Sequence, residues 1–578
     1  MTRSHLALAL AALAGCGSPS PSPDAGAPPD AAFRGSGIMP DEIPLRITVQ
    51  CPGGPSCPAG GDGQLLVGVG VREITPLVEP FQDLNHNGRY DPGEPFQDKN
   101  GNGRFDPVWM TVSSHEAYGV HDPNWARCYV LRQGETTLAH CVFDVIGYFH
   151  SDLEQLRDDL DPSLGIDYLL TSATHDHSTG DTLGLYNDDS SVTGYDPEWM
   201  RHVRAQAIAA LTEAVHDLKP AKMSIASIPV EDPPNHDMHH YIADGRDPLI
   251  IDNVLHLMQF DGADDGKPIV TIVNWTAHPD AMDRSNRFIS SEWPHYLRQR
   301  VEPHTGSPVV YVSGSVGGQI GPGGGNPQNV AVEAIGDDGK VHTHGDFAFE
   351  EAWGDSIGDF ANKAFDARQA VDHPMLAFRA TRLGVHVENP LYITGFLTGV
   401  LPRSVYGFDP SKPVIHDATI DNAPLIDTEF AYVTLGPAAI ATAPGELFPE
   451  SFIGGYDGSK SGTETPFVHT GKIPNDRCDC DYPAPPDVSK APPPPYLIDL
   501  MDGPPEHRMV FGLTLDMLGY VVPRFEWYLD PTSPYLAEPP GDSHYEETNS
   551  IGPRSEPEIV GTMRQLAMSS SGKSPFGN

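Results

Sequence analysis

The segment IDYLLTSATHDHSTGD, from Ile166 to Asp181, decides how the rest of the chain is interpreted. It begins as an apolar run typical of a buried strand and ends in a polar turn that carries His175 and His177. Two imidazoles at the end of an apolar strand are well placed to bind a metal ion. A polar surface turn is the alternative for such a pair, and the neighbouring segments are needed to choose between the two.

The pattern around this segment predicts a β-α-β unit. Thr137–Ile146 and Ile166–Ala173 are predicted strands, and a capping box of Ser151 and Glu154 predicts a short helix between them. Because the connections are short, the two strands are expected to be parallel. Binding sites in open α/β sheets form beyond the carboxyl ends of the strands, which is where His175 lies.

The remaining elements predict an α/β fold, with a large mixed β-sheet domain flanked by helices and a metal site at the strand carboxyl ends. Asp196 is predicted to cap a long amphipathic helix, and residues 347–370 are predicted to be helical. The other predicted strands are Leu65–Ile74, Trp125–Leu131, Met223–Val230, Val254–Phe260, Pro268–Trp275, Val309–Ser313, Tyr432–Ala441 and Val510–Leu515, the last ending near Tyr520.

Four strand ends offer metal-binding side chains, namely His175, His278, Glu446 and Tyr520. Two imidazoles, a carboxylate and a phenol would form a zinc site with room for a water molecule. Zinc lowers the pKa of bound water towards about 7 and polarises a substrate carbonyl. Spacing alone does not bring together four residues so far apart in the sequence.

The composition excludes some partners. Among 578 residues, 79 are acidic and 36 are basic, which gives a formal charge of −43. A nucleic-acid partner requires a basic face, so we predict that the protein binds no nucleic acid. Such acidity suits a solvated surface outside the cytosol, or divalent cation sites. The 58 glycines and 58 prolines predict long ordered loops rather than a helical bundle.

The N-terminus has the pattern of a lipoprotein signal peptide. Arg3 precedes a short apolar run that ends in Leu13-Ala14-Gly15-Cys16. The pattern predicts that Cys16 is acylated and becomes the mature N-terminus. A cleaved signal with an incidental cysteine is the alternative. The absence of Asp after the cysteine favours the bacterial outer membrane, so we expect a lipid-anchored protein of the bacterial cell envelope, at the outer membrane or cell surface.

Export also permits disulfides. Cys51 and Cys57 bracket a Pro/Gly loop and are expected to pair. Cys128 and Cys141 lie on two apolar runs joined by QGET, and a hairpin there would set them opposite each other. The sequence does not show whether Cys478 and Cys480, which form a C-x-C, pair with each other.

Two consecutive segments, DLNHNGRYDPGE and DKNGNGRFDP, match the calcium loop of EF-hand proteins. The first has Gly88 at position 6 and an acid at position 12, whereas the second lacks that final acid. A pair of Asn/Gly turns is the alternative. Nearby prolines argue against flanking helices, so a structural calcium staple is expected. The predicted calcium ligands are Asp83, Asn85, Asn87, Asp91 and Glu94 in the first loop and Asp98, Asn100, Asn102 and Asp106 in the second.

Five segments resemble, in order, segments of the neutral ceramidases, the zinc amidases that split ceramide into a fatty acid and sphingosine. They are LLVGVGVREITP, SATHDHSTGD, IVNWTAHPDAM with RFISSE, TAPGELF and GLTLDMLGYV, and the resemblance continues to EETNSIGPRSEPEIV. The resemblance implies that His177 contacts the reacting amide as a hydrogen-bond donor or proton carrier. A core tyrosine is the alternative for Tyr520. The implied zinc ligands are His175, His278, Glu446 and Tyr520.

The chain also departs from this family's pattern. Gly318 stands at the position of a family aspartate, and Ile320 or Gly321 stands at that of a serine implicated in activity. A serine mechanism is therefore not expected here, whereas attack by zinc-bound hydroxide needs no covalent side chain. The family's Asn-Arg pair is replaced by Asn235-His236, so that His236 either takes the arginine's catalytic role or belongs to a surface loop. A C-terminal immunoglobulin-like domain is not expected.

The sequence thus predicts an extracytoplasmic zinc hydrolase that cleaves an N-acyl bond of a small-molecule or lipid substrate. The alternatives are a zinc hydrolase of an ester, a lactone or another acyl compound, and a catalytically inactive, calcium-stabilised surface binding lipoprotein. The expected partners are the acyl substrate and a membrane reached through the lipid anchor. The predicted organisation is a signal peptide (1–16), a Pro/Ser-rich tether with a small Cys loop (17–62), a ceramidase-like domain (63–568) with a calcium-loop insertion (83–109), and a tail (569–578).

Overall fold

The structure is a computed structural model, and most of the predicted folded domain is described in it. Cys16, the signal and most of the tether lie outside the described residues, as do His236, Ile320 and Gly321. The described residues are 45–55, 57, 63–230, 250–282, 284–318, 333–337, 339–343, 345–409, 411–412, 422–456, 488–539 and 544–570.

The described chain forms twenty strands and nine α-helices. The strands are β1 (Ile47–Cys51), β2 (Leu65–Glu73), β3 (Gly119–Val120), β4 (Trp125–Gln133), β5 (Thr136–Phe143), β6 (Tyr168–Ala173), β7 (Lys219–Pro229), β8 (Val254–Gly262), β9 (Pro268–Trp275), β10 (Phe288–Ile289), β11 (Val309–Ser313), β12 (Glu333–Ile335), β13 (Val341–Thr343), β14 (Gln369–Val371), β15 (Leu376–His386), β16 (Leu425–Leu435), β17 (Ala438–Thr442), β18 (Glu446–Leu447), β19 (Arg508–Phe511) and β20 (Tyr520–Val521). The helices are α1 (His150–Asp159), α2 (Pro197–His216), α3 (Trp293–Thr305), α4 (Phe347–Ala367), α5 (Pro390–Thr398), α6 (Pro449–Ile453), α7 (Leu497–Leu500), α8 (Tyr545–Thr548) and α9 (Ser555–Ser570).

Two mixed sheets pack face to face between layers of helices. The larger sheet has the order β11-β9-β8-β7-β2-β4-β5-β6 with β14 on β7, and the smaller has the order β1-β15-β16-β17-β19. Phe378 and Val433 of the smaller sheet share a buried apolar cluster with Ile225 and Val312 of the larger. The mixed α/β architecture predicted from the sequence is therefore confirmed.

Helices cover the outer face of each sheet. On the larger sheet, α2 lies against β2 and β4, where a Cβ at Gly70 would come within 2.1 Å of the Ala210 carbonyl oxygen. Trp293 of α3 and Trp353 of α4 pack beside Trp275 of β9. Residues of α9 share a cluster with the outward side chains of the smaller sheet. This sandwich leaves the strand ends as the place for a binding site.

The predicted β-α-β unit is present, because β5 and β6 pair in parallel and α1 connects them. The cross-strand position of Cys128 and Cys141 is also confirmed, and both Cys51–Cys57 and Cys128–Cys141 form disulfides. Asp196 caps α2 as expected, since its side chain accepts a hydrogen bond from the Glu198 N–H. No helix in the described part of the chain is long and apolar enough to cross a membrane.

Three local predictions are wrong. The helix α1 begins at His150 without a side-chain cap, because Asp516 accepts the His150 N–H at 3.0 Å in place of the predicted Ser151 capping box. The predicted strand Tyr432–Ala441 is the hairpin of β16 and β17, which turns at Gly436 and Pro437. The predicted strand Val510–Leu515 ends at Phe511, and Tyr520 begins a separate short strand.

Candidate active site

The first two histidines lie directly after β6 in a constrained backbone. His175 adopts a positive φ of 69°, an uncommon conformation for a residue other than glycine. Its Nδ1 lies 2.8 Å from the carbonyl oxygen of Ile146, in the segment that follows the neighbouring strand β5. Because a carbonyl oxygen can only accept, Nδ1 is the donor in this contact, and Nε2 is the nitrogen that faces the other site residues, as in histidines that bind metals.

The other predicted ligands meet His175 in space. Glu446 and Tyr520 are register partners in the parallel pair of β18 and β20. Glu446 Oε2 lies 3.3 Å from His175 Nε2 and 3.1 Å from His278 Nε2. The Tyr520 hydroxyl lies 3.4 Å from His278 Nε2. All four side chains are buried, so the structure brings the four predicted ligands together at one point.

His177 joins the same group. Its ring lies 4.7 Å from the ring of His175 and 5.4 Å from that of His278, measured between centroids. One ring nitrogen of each of the three histidines lies within 4.8 Å of those of the other two. In the part of the chain that the structure describes, neither nitrogen of His177 has a hydrogen-bond partner, although Asp280 Oδ1 approaches Nδ1 at 3.6 Å. The ring is therefore available to a ligand of the site.

Burial and mutual charge control the protonation of these groups. Burial would raise the pKa of Glu446, but His175 and His278 hold it well below its usual value. Burial, followed by His175 and His278, lowers the pKa of His177 well below that of a free imidazole. The pKa of Tyr520 is raised by burial and by Glu446. At neutral pH the cluster thus combines a carboxylate with a neutral His177 and a protonated phenol.

This donor set fits a divalent metal ion such as zinc. Imidazole nitrogens and a carboxylate oxygen are the donors that zinc prefers, and catalytic zinc sites keep one position open. His177 is half-buried, but its two ring nitrogens are buried without a hydrogen-bond partner among the described residues, the kind of defect that a bound group repairs. His175, His278 and Glu446 could hold the ion, with Tyr520 or His177 beside it.

The sequence pattern does not reveal Glu292, which fixes the loops that carry the histidines. Its carboxylate accepts hydrogen bonds from the Ala281 N–H at 2.9 Å and the Ser178 hydroxyl at 2.7 Å. Glu292 thereby joins the loop after β6 to the loop after β9. Burial raises its pKa to about 7. The acid that ends the RFISSE segment is the signal that could have identified it.

The loop after β11, where the sequence differs from the pattern of the neutral ceramidases, packs closely against residues 447 and 448. The Gly317 N–H bonds to the Leu447 carbonyl at 2.9 Å, next to Glu446. Gly318 has a φ of 71°, and a Cβ there would come within 2.9 Å of the Phe448 ring. A side chain at the position of the family aspartate would therefore require Phe448 to move.

An apolar cleft borders the residues that directly precede Tyr520. Leu518 and Gly519 line it directly before Tyr520, and the Gly519 carbonyl accepts the Glu446 N–H at 3.0 Å. Its enclosed volume is about 30 Å3, within about 350 Å3 that includes space open to solvent. The other lining residues are Phe149, Leu183, Leu185, Tyr392, Phe396, Leu401, Ile426, Met517 and Ile551.

The predicted calcium ligands lie in two adjacent surface loops. In the first, Asp83 Oδ2 accepts the Gly88 N–H at 2.7 Å, and in the second, Asp98 Oδ2 accepts the Gly103 N–H at 2.9 Å. The two loops therefore have the same internal arrangement. No α-helix of the described chain flanks them, as the sequence predicts.

Comparison with known proteins identifies the fold. No family model and no curated protein sequence matches the chain. The chain is similar to the solved structure of neutral ceramidase from Pseudomonas aeruginosa, with a TM-score of 0.55, 14% identity, and coverage of 88% of this chain and 75% of that one. It is also similar to a ceramidase complexed with C2, with a TM-score of 0.54, 14% identity, and coverage of 88% and 76%. The chain therefore has the mixed α/β fold of the neutral ceramidases, as the motifs predict.

Proposed function

We propose that the protein is a zinc-dependent, ceramidase-like hydrolase that cleaves an N-acyl bond. The observation that carries this proposal is the convergence of His175, His278 and Glu446 at strand ends. The neutral-ceramidase fold supports it, because a hydrolase of that kind is a structural neighbour. The fold alone is compatible with many activities, so the proposal rests on the site.

The chain's own residues supply binding and proton transfer. His175, His278 and Glu446 would hold the ion, with Tyr520 beside them. A bound zinc ion supplies Lewis acidity, which polarises a carbonyl and acidifies water. His177 would donate a hydrogen bond to the substrate carbonyl, or accept a proton from water and pass it to the leaving amine. Its lowered pKa keeps the ring neutral and able to accept that proton.

The apolar cleft supports an acyl substrate. One wall of it includes Gly519, which directly precedes Tyr520 and whose carbonyl accepts the Glu446 N–H. Ligand sites commonly combine such an apolar wall with a few polar groups. The cleft does not distinguish an amide from an ester or a lactone, because the acyl part of all three is the same.

The test combines metal content with a substrate panel. Chain purified after metal removal and reloading is expected to contain one zinc ion and to hydrolyse N-acyl amides faster than matched esters or lactones. His175→Ala is expected to lose the zinc, whereas His216→Ala, at an exposed position of α2, is a matched control. A zinc content near zero that is the same in His175→Ala would contradict the proposal.

A second candidate function is a surface binding protein without catalysis. The crowding of Gly318 against Phe448, where a family aspartate is absent, is the observation that favours it. Zinc binding without turnover of any acyl substrate would support this alternative.

We also propose that the protein acts outside the cytoplasm, anchored through an acylated Cys16, and binds calcium at the two predicted loops, Asp83–Glu94 and Asp98–Asp106. The two disulfides are compatible with an oxidising compartment. Radiolabelled fatty acid should be incorporated into the wild-type chain in a bacterial host and not into Cys16→Ser.

A further inference from the structure

The calcium-loop region is an internal repeat. Residues 79–92 read EPFQDLNHNGRYDP, and residues 94–107 read EPFQDKNGNGRFDP, so the period is 15 residues. Because of this period, Glu94 is both the twelfth residue of the first loop and the first residue of the second copy. The twelfth residue of the second loop is Trp109, which cannot bind calcium.

The two copies are related by an approximate two-fold arrangement. Phe81 and Phe96 form an antiparallel bridge. The Gln82 N–H bonds to the Pro95 carbonyl at 2.8 Å, and the Gln97 N–H bonds to the Pro80 carbonyl at 2.9 Å. The first residue of each copy is thereby placed beside the loop of the other copy.

Glu94, the acid at position 12 of the first loop, bonds to the backbone of that loop at two positions. Its carboxylate accepts the N–H of Leu84, at loop position 2, at 2.7 Å. It also accepts the N–H of Asp91, at loop position 9, at 2.9 Å. These contacts hold both carboxyl oxygens at the open side of the first loop.

Glu79 makes the same two contacts with the second loop. Its carboxylate accepts the N–H of Lys99, at position 2, at 2.9 Å, and that of Asp106, at position 9, at 3.0 Å. Glu79 therefore occupies the place that the sequence of the second loop leaves empty, although it precedes that loop by 19 residues.

The electrostatics give an independent reason to expect a cation. Glu79 is 1% exposed and Glu94 is 8% exposed. In the part of the chain that the structure describes, neither forms an ion pair with Lys, Arg or His. A buried carboxylate is costly unless a counter-charge or a metal ion neutralises it. The remaining lone pairs of both carboxylates are free to coordinate an ion.

We infer that residues 79–107 form two calcium sites closed by exchanged carboxylates, in which Glu94 completes the first site and Glu79 completes the second. Calcium suits this set of carboxylate and amide oxygens, with a bidentate acid at the twelfth position. The inference rests on the proposed calcium binding of the two loops and adds Glu79, which lies outside the second loop, as the acid that completes the second site. It also predicts that neither repeat alone forms a complete site.

The experiment is a calcium titration of the chelator-treated, detergent-solubilised full chain by calorimetry, with calcium chloride as the only added ion. Wild type is expected to bind two calcium ions. Glu79→Gln is expected to weaken the second site about tenfold or more, because affinity depends on the number of charged ligands. Asp98→Asn should weaken the same site, and combining it with Glu79→Gln should leave the first site unchanged.

Glu94→Gln is the matched variant, expected to weaken the first site and spare the second. Glu79→Asp keeps the charge with a shorter reach and is expected to weaken the second site if Glu79→Gln does not fold. Two unchanged sites in the Glu79 variants would overturn the inference, since Glu79 would then be only a backbone cap. One ion in wild type, lost in Glu94→Gln, would overturn it and leave the proposed first site standing, whereas no ion would refute both. None of these outcomes depends on zinc or on hydrolysis.

Discussion

The candidate active site and the calcium-loop pair are built in opposite ways. The active site joins His278 to Glu446 across 168 residues and to Tyr520 across 242 residues. The loop pair lies within residues 79–107, and its ligands follow one another in a fixed register. The candidate active site depends on the packing of both sheets. The loop pair depends on short-range turns and on one glutamate that each repeat contributes to the loop of the other. Removing either metal should therefore leave the other site intact.

The largest expected effect is that of His175→Ala. Activity should fall by about 10³-fold or more, because the ion contributes several kcal/mol of transition-state stabilisation. Zinc content should fall with it, as measured by atomic emission. Calcium stoichiometry should stay at the wild-type value, and its loss would show that the two regions are coupled.

The next effect concerns the role of His177. If His177 acts on the substrate, His177→Ala should keep its zinc and lose about 10²- to 10⁴-fold in kcat, the range of a general acid or base. The test is to measure the zinc content and kcat of the same His177→Ala preparation. Loss of zinc equal to that in His175→Ala would instead make His177 a ligand of a three-histidine site, which its ring position also permits.

The contrast between the regions explains what the sequence could predict. The Asp, Asn and Gly residues of the predicted calcium loops lie within a few residues of one another, so their spacing can be recognised from the sequence alone. The exchange of Glu79 is equally local, and the EPFQD repeat was the signal for it. The predicted active-site ligands could be recognised one by one at strand ends, but only the resemblance to neutral ceramidases grouped them, since no spacing rule links residues of different strands.

The wrong helix cap has the same origin, a partner that is distant in the sequence. Asp516, which takes the His150 N–H, is 366 residues away, and no helix-capping rule includes so distant a partner. The β16–β17 hairpin is different, because Gly436-Pro437 is a turn signal inside an apolar run and could have been recognised. The β-α-β unit and both disulfides were predictable because hairpins and short crossovers fix their own geometry.

A smaller effect is expected in the apolar cleft. Phe396→Ala should raise KM for a long-chain N-acyl substrate about tenfold, as expected for lost contacts in an apolar pocket. A short-chain substrate should be affected less. Leu397→Ala is the matched control, since Leu397 is 56% exposed and does not line the cleft. Equal effects on both substrates would indicate a general loss of structure, which thermal melting would reveal.

The smallest effect separates the two metals by pH. Zinc requires neutral imidazoles, so protons compete with zinc as the pH falls. Calcium requires ionised carboxylates, whose usual pKa is about 4. Burial raises the pKa of Asp83, but hydrogen bonds from the N–H groups of Gly88 and Asn87 outweigh burial and lower that pKa below its usual value. The first loop therefore keeps this negative charge to a lower pH. Dialysis at stepwise lower pH, followed by metal analysis, should therefore release zinc before calcium. Release of calcium before zinc would contradict this prediction. It would mean that the calcium loops bind their ions weakly, and that the histidines keep zinc even at a pH where free imidazoles are protonated.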